Sequence, residues 1–308
     1  MQNSKLQFEI KNLLALLIIG SVFVPPAVFG AVLYLEPEEG DYYRGDTFIV
    51  NLRVDTENEC INTIEANLSF SQNVLEVIDF SNGDSILNLW VSPPYVNQES
   101  GLISFAGGIP GGFCGPLPGD PGESNLLGKI IFKVKESGGE RFSAQTKFLD
   151  NSQVFLNDGF GTPAKLSTKR AVFSIFPGTP GTSKREWLEE LEQDKIPPEP
   201  FEIGISQDPL IFEGKHFITF STTDKQTGID YYEVKEGKKD WQRFVSPYLL
   251  EDQSLESIIK VKAVDKAGNE RIAQYPSLGT PLLYWIIVLV LMGIGLTYWV
   301  TKRLKIKR

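Results

Sequence analysis

From Ala31 to about Phe176 the side chains alternate apolar and polar with a period of two, and that pattern excludes a helical fold for this half of the chain. Successive side chains of a strand point to opposite faces, whereas a helix brings one face round every three or four residues. In TFIVNLRVD, Phe48, Val50, Leu52 and Val54 share one face, with Thr47, Asn51, Arg53 and Asp55 on the other. INTIEANLSF repeats the arrangement with Ile64, Ala66, Leu68 and Phe70, and GLISFAGG and KIIFKVK follow it. Turn-forming clusters stand between these runs: Ser81-Asn82-Gly83-Asp84, Glu99-Ser100-Gly101, Ser137-Gly138-Gly139 and Asn157-Asp158-Gly159. About nine short strands at this spacing predict a β-sandwich with two apolar inner faces.

Residues 177–200 change character. Pro and Gly bracket SKREWLEELEQD, which carries Ser183 as N-cap and Trp187, Leu188 and Leu191 along one side. This reads as a linker holding about two turns of helix, whose Trp and Leu pack on a neighbouring domain, a partner site being the alternative. Residues 201–275 predict a second, smaller β domain of Ig-like or fibronectin-like size, with strands in HFITFSTTD, GIDYYEVKEG, the Trp241–Tyr248 region and SIIKVKAVDKAGNE. Asp265-Lys266-Ala267-Gly268-Asn269 then reads as a turn.

The two ends point to export. Lys5 and Lys11 precede the apolar run Leu13–Val24, a pattern of a secretory signal peptide over residues 1–30 with cleavage near Gly30-Ala31; the alternative is an uncleaved anchor. Residues 282–300 carry no charge, have Tyr284, Trp285, Tyr298 and Trp299 at their ends and are followed by the basic tail 301–308. As a helix they would run about 28 Å, so a single transmembrane helix with a cytoplasmic tail is expected, the β domains lying outside the cell membrane at a prokaryotic cell surface. The formal charge of −9 is then an average: setting aside the +1 of residues 1–30 and the +5 of the tail leaves −15 on residues 31–301. Such acidity argues against nucleic acid as a partner.

The run AVLYLEPEEGDYYRGDTFIVNLRVDT, followed in order by INTIEANLSF, NVLEVIDF, GLISFAGGIPGGFCG, LLGKIIFKVKESG and VFLNDGFGT, resembles a cohesin module over residues 31–176. Members show a "G-D-x-F-x-V" strand after a Pro/Gly turn, then a "G-x-I-x-F-x-G" strand, a Gly-rich loop and an "L-x-x-I-x-F-x-V" strand. The resemblance implies a nine-stranded, jelly-roll-like sandwich that binds a helical dockerin module on one sheet face, within scaffolds for polysaccharide degradation. Its kinship with carbohydrate-binding modules makes polysaccharide the alternative ligand.

Chemistry-bearing residues are sparse. The sole histidine, His216, falls in the second domain and no G-x-S-x-G occurs, which excludes a Ser-His-Asp hydrolase; no carboxylate pair stands out, so a glycoside-active enzyme is the least favoured reading. Two cysteines cannot make a Cys/His metal cluster, and neither metal nor cofactor is expected. In an exported protein Cys60 and Cys114 are expected to pair as a disulfide. Trp90 and Tyr95 in WVSPPY, and Phe113 in the Gly-rich loop, are the candidate ligand-binding rings, suited to sugar stacking or to anchoring a protein, with a core role for Trp90 as the alternative. The expected protein is therefore all-β and non-enzymatic: a cohesin-like sandwich for recognition, an Ig-like spacer and a membrane anchor. A structural envelope protein without a specific ligand is the alternative from another class.

Overall fold

The computed structural model describes residues 30–57, 59–115, 125–135, 141–177, 184–276, 289–294, 297 and 299. Its first β unit packs two sheets face to face. One has the order β11 (Lys165–Thr168), β1 (Gly30–Glu36), β3 (Thr47–Asp55), β8 (Leu126–Val134) and β5 (Leu75–Ser81). The other runs β2 (Glu39–Tyr43), β12 (Ala171–Phe176), β9 (Phe142–Phe148), β4 (Ile61–Phe70), β7 (Leu102–Phe113) and β6 (Leu89–Asn97), with β10 (Gln153–Leu156) also beside β4.

Alternation sets what lies between the sheets. Phe48, Val50, Leu52 and Val54 of β3 are buried, as are Ile64, Ala66, Leu68 and Phe70 of β4. Phe48 is central: it stacks on Tyr42 at 3.7 Å between ring centroids and meets Phe173 edge-on at 5.1 Å. A large side chain fully withdrawn from water contributes about 1.5–3 kcal/mol, so this one apolar cluster holds both sheets together.

Two expectations are corrected. Among the described residues the first unit has twelve strands, not nine, and its sheets are mixed, because β11 pairs with β1 and β2 with β12 in parallel. Those partners lie more than a hundred residues apart, beyond the reach of a local pattern. The transmembrane helix over 282–300 is also overturned. A span needs about 20 consecutive helical residues, and no helix among the described residues is long and apolar enough to cross a membrane. The helical positions described there are 289–294, 297 and 299. Residues 1–29, Ser183 and the tail 301–308 lie outside the described residues.

The linker is stitched to the first unit. Thr47 N–H donates to Lys184 O at 2.9 Å and Lys184 N–H to Asp46 Oδ1 at 2.8 Å, which carries the chain along the free end of β3. Helix α1 (Glu186–Gln193) follows, with Arg185 rather than a hydroxyl residue at its N-cap. Glu186 Oε2 accepts from the Ile49 N–H at 3.2 Å, Glu190 pairs with Lys129, and Trp187 is only 5% exposed. On the same outer sheet face Ile131 of β8 is also buried, whereas Leu188 points outward.

The second β unit has a three-stranded sheet, β13 (Gly204–Asp208), β14 (Ile211–Thr219) and β17 (Tyr248–Leu249). Its four-stranded partner has the order β16 (Gln242–Phe244), β15 (Ile229–Glu236), β18 (Ile259–Asp265) and β19 (Glu270–Tyr275). A separate cluster that includes Ile218, Phe220, Val234, Leu250 and Val261 fills it.

The units meet at the turn after β5. Ser81 Oγ donates to Thr227 O at 2.6 Å, Ile229 N–H to Asn82 Oδ1 at 3.1 Å, and Lys266 pairs with Asp79 at 2.7 Å. Gly83 is required there: a Cβ would sit 2.2 Å from the Gln226 carbonyl oxygen, so no larger residue lets the two backbones approach.

Candidate functional site

The outer faces of the two sheets of the first unit differ. Over β3 and β8 lies α1, held by the Glu186 and Glu190 contacts. The outer face of β9, β4, β7 and β6 carries no such cover among the described residues. Along β7 its outward side chains are Leu102, Ser104, Ala106 and Gly108, so the middle of the sheet is flat. Register places Tyr95 of β6 opposite Ser104 and Leu89 opposite Gly108. Tyr95 is 64% exposed, Leu89 58% and Leu102 40%. Glu65, Asn67, Gln145 and Lys147 supply polar groups on the neighbouring strands. The result is a flat, mixed surface about four strands wide, with its apolar side at β6.

The three candidate rings do not form one platform. Tyr95 stands on this open face. Trp90 pairs with Gly107 and turns inward, where its ring meets Phe80 and Phe105 edge-on at 6.4 and 5.8 Å. β6 is bulged between Trp90 and Ser92 and again between Ser92 and Tyr95, so the spacing of Trp90 and Tyr95 in the sequence does not by itself fix which face each ring takes. Phe113 is 8% exposed and packs in the core beside its β4 partner Ile61. Gly111 and Gly112 adopt positive φ, while Gly107 and Gly108 are ordinary strand residues. Cys60 and Cys114 are joined with an S–S distance of 2.06 Å, next to the paired Ile61 and Phe113.

Trp90 instead borders a cleft between the units. A cavity of about 760 Å³ opens between Asn88, Leu89 and Trp90 on one side and Asp230, Tyr231 and Arg243 on the other. A second cavity of about 560 Å³ adjoins it and shares Asn82, Trp90, Pro93, Ile229 and Asp230. Arg243 lies over the Tyr231 ring at 3.6 Å, and Tyr232 OH donates to Thr222 O while accepting from Thr222 N–H, which ties this wall together. Burial pushes the Tyr232 phenol up from its ordinary value.

One group of carboxylates escaped sequence reasoning. Asp194 after α1, Asp224 and Asp265 are buried and bring oxygens within 4.8 Å of one another. Asp224 Oδ1 accepts from the N–H groups of Gln226, Thr227 and Gly228 at 2.9–3.0 Å. Asp194 Oδ2 accepts from Thr227 Oγ1 at 2.6 Å, and Asp265 is held by Asn269 N–H at 2.8 Å and its Nδ2 at 2.9 Å. Burial pushes the Asp265 carboxyl up, and the Asp194 and Asp224 charges add to it. An all-oxygen set of this kind could hold a hard cation, or share a proton. The turn Asp265–Asn269 was visible in the sequence; its two carboxylate neighbours, at no regular spacing, were not.

No family model and no curated protein matches the chain. Solved structures that it resembles are cohesin modules. A type I cohesin–dockerin complex from Clostridium thermocellum is 14% identical with a TM-score of 0.38, covering 49% of this chain and 95% of that one. A scaffoldin B cohesin from Acetivibrio cellulolyticus, in complex with a Cel5 dockerin, is 12% identical with a TM-score of 0.35, covering 48% and 99%. The cohesin module of a Clostridium perfringens family 33 glycoside hydrolase is 11% identical with a TM-score of 0.36, covering 49% and 98%. Likeness at this level assigns neither a family nor a partner.

Proposed function

We propose that this chain is an exported recognition protein whose first β unit binds a dockerin-like helical module on the open face of β9, β4, β7 and β6. The single observation that carries the reading is that face: flat along Ser104 and Ala106, apolar at Tyr95 and Leu89, and polar at Glu65 and Lys147. Helices dock on flat sheets through a few exposed anchors within a polar surround. The opposite outer face is taken by α1 and its buried Trp187. The order of cohesin-like motifs in the sequence supports the same reading, and the disulfide fits a compartment outside the reducing cytoplasm. The second β unit serves as an Ig-like spacer docked on the first, and the chain belongs to assemblies that bring polysaccharide-degrading enzymes to a surface.

The test is a binding screen of the full chain against a panel of dockerin modules, followed by Ala106→Arg. Ala106 is outward in the middle of β7, so an arginine there blocks docking without touching the core. Binding of at least one module, lost in the variant, is the expected result. A panel with no binder, or binding indifferent to Ala106→Arg, refutes the assignment.

A further inference from the structure

We propose that the cleft between the two β units binds a neutral oligosaccharide. This is separable from the dockerin reading: Leu89 borders both surfaces, but the cleft is walled by Trp90, Asp230 and Arg243, whereas Tyr95, Ser104 and Ala106 stand on the open face. The larger cavity, about 760 Å³, falls in the range of small-ligand sites, and the adjoining 560 Å³ extends it into a trench suited to a chain of rings rather than a single one.

The charged groups select the ligand. Asp230 lines both cavities, and among the described residues its carboxylate makes no hydrogen bond or ion pair. Arg243 lines the larger one, with its guanidinium over the Tyr231 ring and likewise no ion pair. The two do not neutralise each other. An anionic ligand meets Asp230, a cationic ligand meets Arg243, and a wholly apolar one strips water from both without replacing its hydrogen bonds. A neutral polyhydroxylated ligand satisfies each: its hydroxyls donate to the Asp230 carboxylate and accept from Arg243 and from the Asn88 side-chain amide, which makes no hydrogen bond among the described residues. The C–H faces of sugar rings then cover Trp90, half-buried at the wall common to both cavities, and Phe244 across from it. The walls are positioned in advance by the Ser81–Thr227 and Asn82–Ile229 bonds and the Asp79–Lys266 pair, so closing the site costs little ordering.

The experiment applies the full chain to an array of neutral and acidic oligosaccharides, then measures the retained glycan by calorimetry against Asp230→Asn and Arg243→Gln. Both side chains are exposed, so neither change opens the core. Retention of neutral glycans, weakened at least about tenfold by each variant with the thermal midpoint unchanged, is expected for the loss of a charge-assisted contact. The same glycan should still bind the Ala106→Arg protein, which separates this cleft from the open face. An array with no neutral glycan retained, a preference for acidic glycans, or an affinity indifferent to both variants overturns the proposal.

Discussion

Gly83→Ala tests whether the two β units are one mechanical body. In the structure the added Cβ would lie 2.2 Å from Gln226 O, 2.7 Å from Gln226 C and 2.9 Å from Gly228 N, all backbone atoms. Ordinary contact requires more than 3 Å, so the 226–228 segment must retreat by about 1 Å. That segment is held by Ser81 Oγ–H to Thr227 O at 2.6 Å, Ile229 N–H to Asn82 Oδ1 at 3.1 Å and Lys129 Nζ to Gln226 O at 2.9 Å. A retreat of that size takes these bonds towards or past useful length. At about 1 kcal/mol for each neutral bond and somewhat more for the lysine, the loss comes to about 3–4 kcal/mol of docking energy. The sign is diagnostic. Gly83 does not adopt a positive φ, so in an undocked chain alanine would raise stability by about 0.4–1 kcal/mol through the unfolded state. Urea unfolding of the full chain should move to lower midpoint or split into two transitions, and hydrogen exchange at the Ile229 amide should accelerate. A variant as stable as the parent, with that amide still protected, would show that the contact is incidental.

Two further outcomes follow from the fold. Replacing Cys60 and Cys114 by serine frees a 54-residue loop, which the chain-entropy relation values at about 4 kcal/mol; a urea-derived loss under about 1 kcal/mol would contradict it. Asp265 gives an unusual pH dependence: with its folded pKa raised by burial, its contribution to stability is full below the unfolded value and is lost as pH rises through the folded one. Asp252 works the other way, since hydrogen bonds from Ser254 and Ser257 lower its pKa and its contribution fades as the solution is acidified. Stability curves from pH 3 to 7 for Asp265→Asn should therefore lack a decline that the parent shows on the rising side, and identical curves would remove Asp265 from the account.

Much of the strand content was readable because burial on one side of a strand repeats every second residue. Phe48 to Val54 and Ile64 to Phe70 went to the core as their alternation required. The separation of Trp90 from Tyr95 was not readable in the same way, because two bulges between them break the alternation. The apolar stretch over 282–300 shows the limit of the same method: hydropathy is a statement about composition, and the described helical residues there amount to no membrane-crossing helix.

The sequence by itself determined the alternating strands and the turns between them, because these depend on neighbours a few residues apart. Tertiary structure alone decided the parallel pairing of β1 with β11 and β2 with β12, the cover of α1 over one sheet face, and the open state of the other. It also brought Asp194, Asp224 and Asp265 together, and set Trp90 across a cleft from Asp230 and Arg243. Such meetings join residues tens to more than a hundred positions apart, and they arise from how two sheets and two units pack, which no local period records.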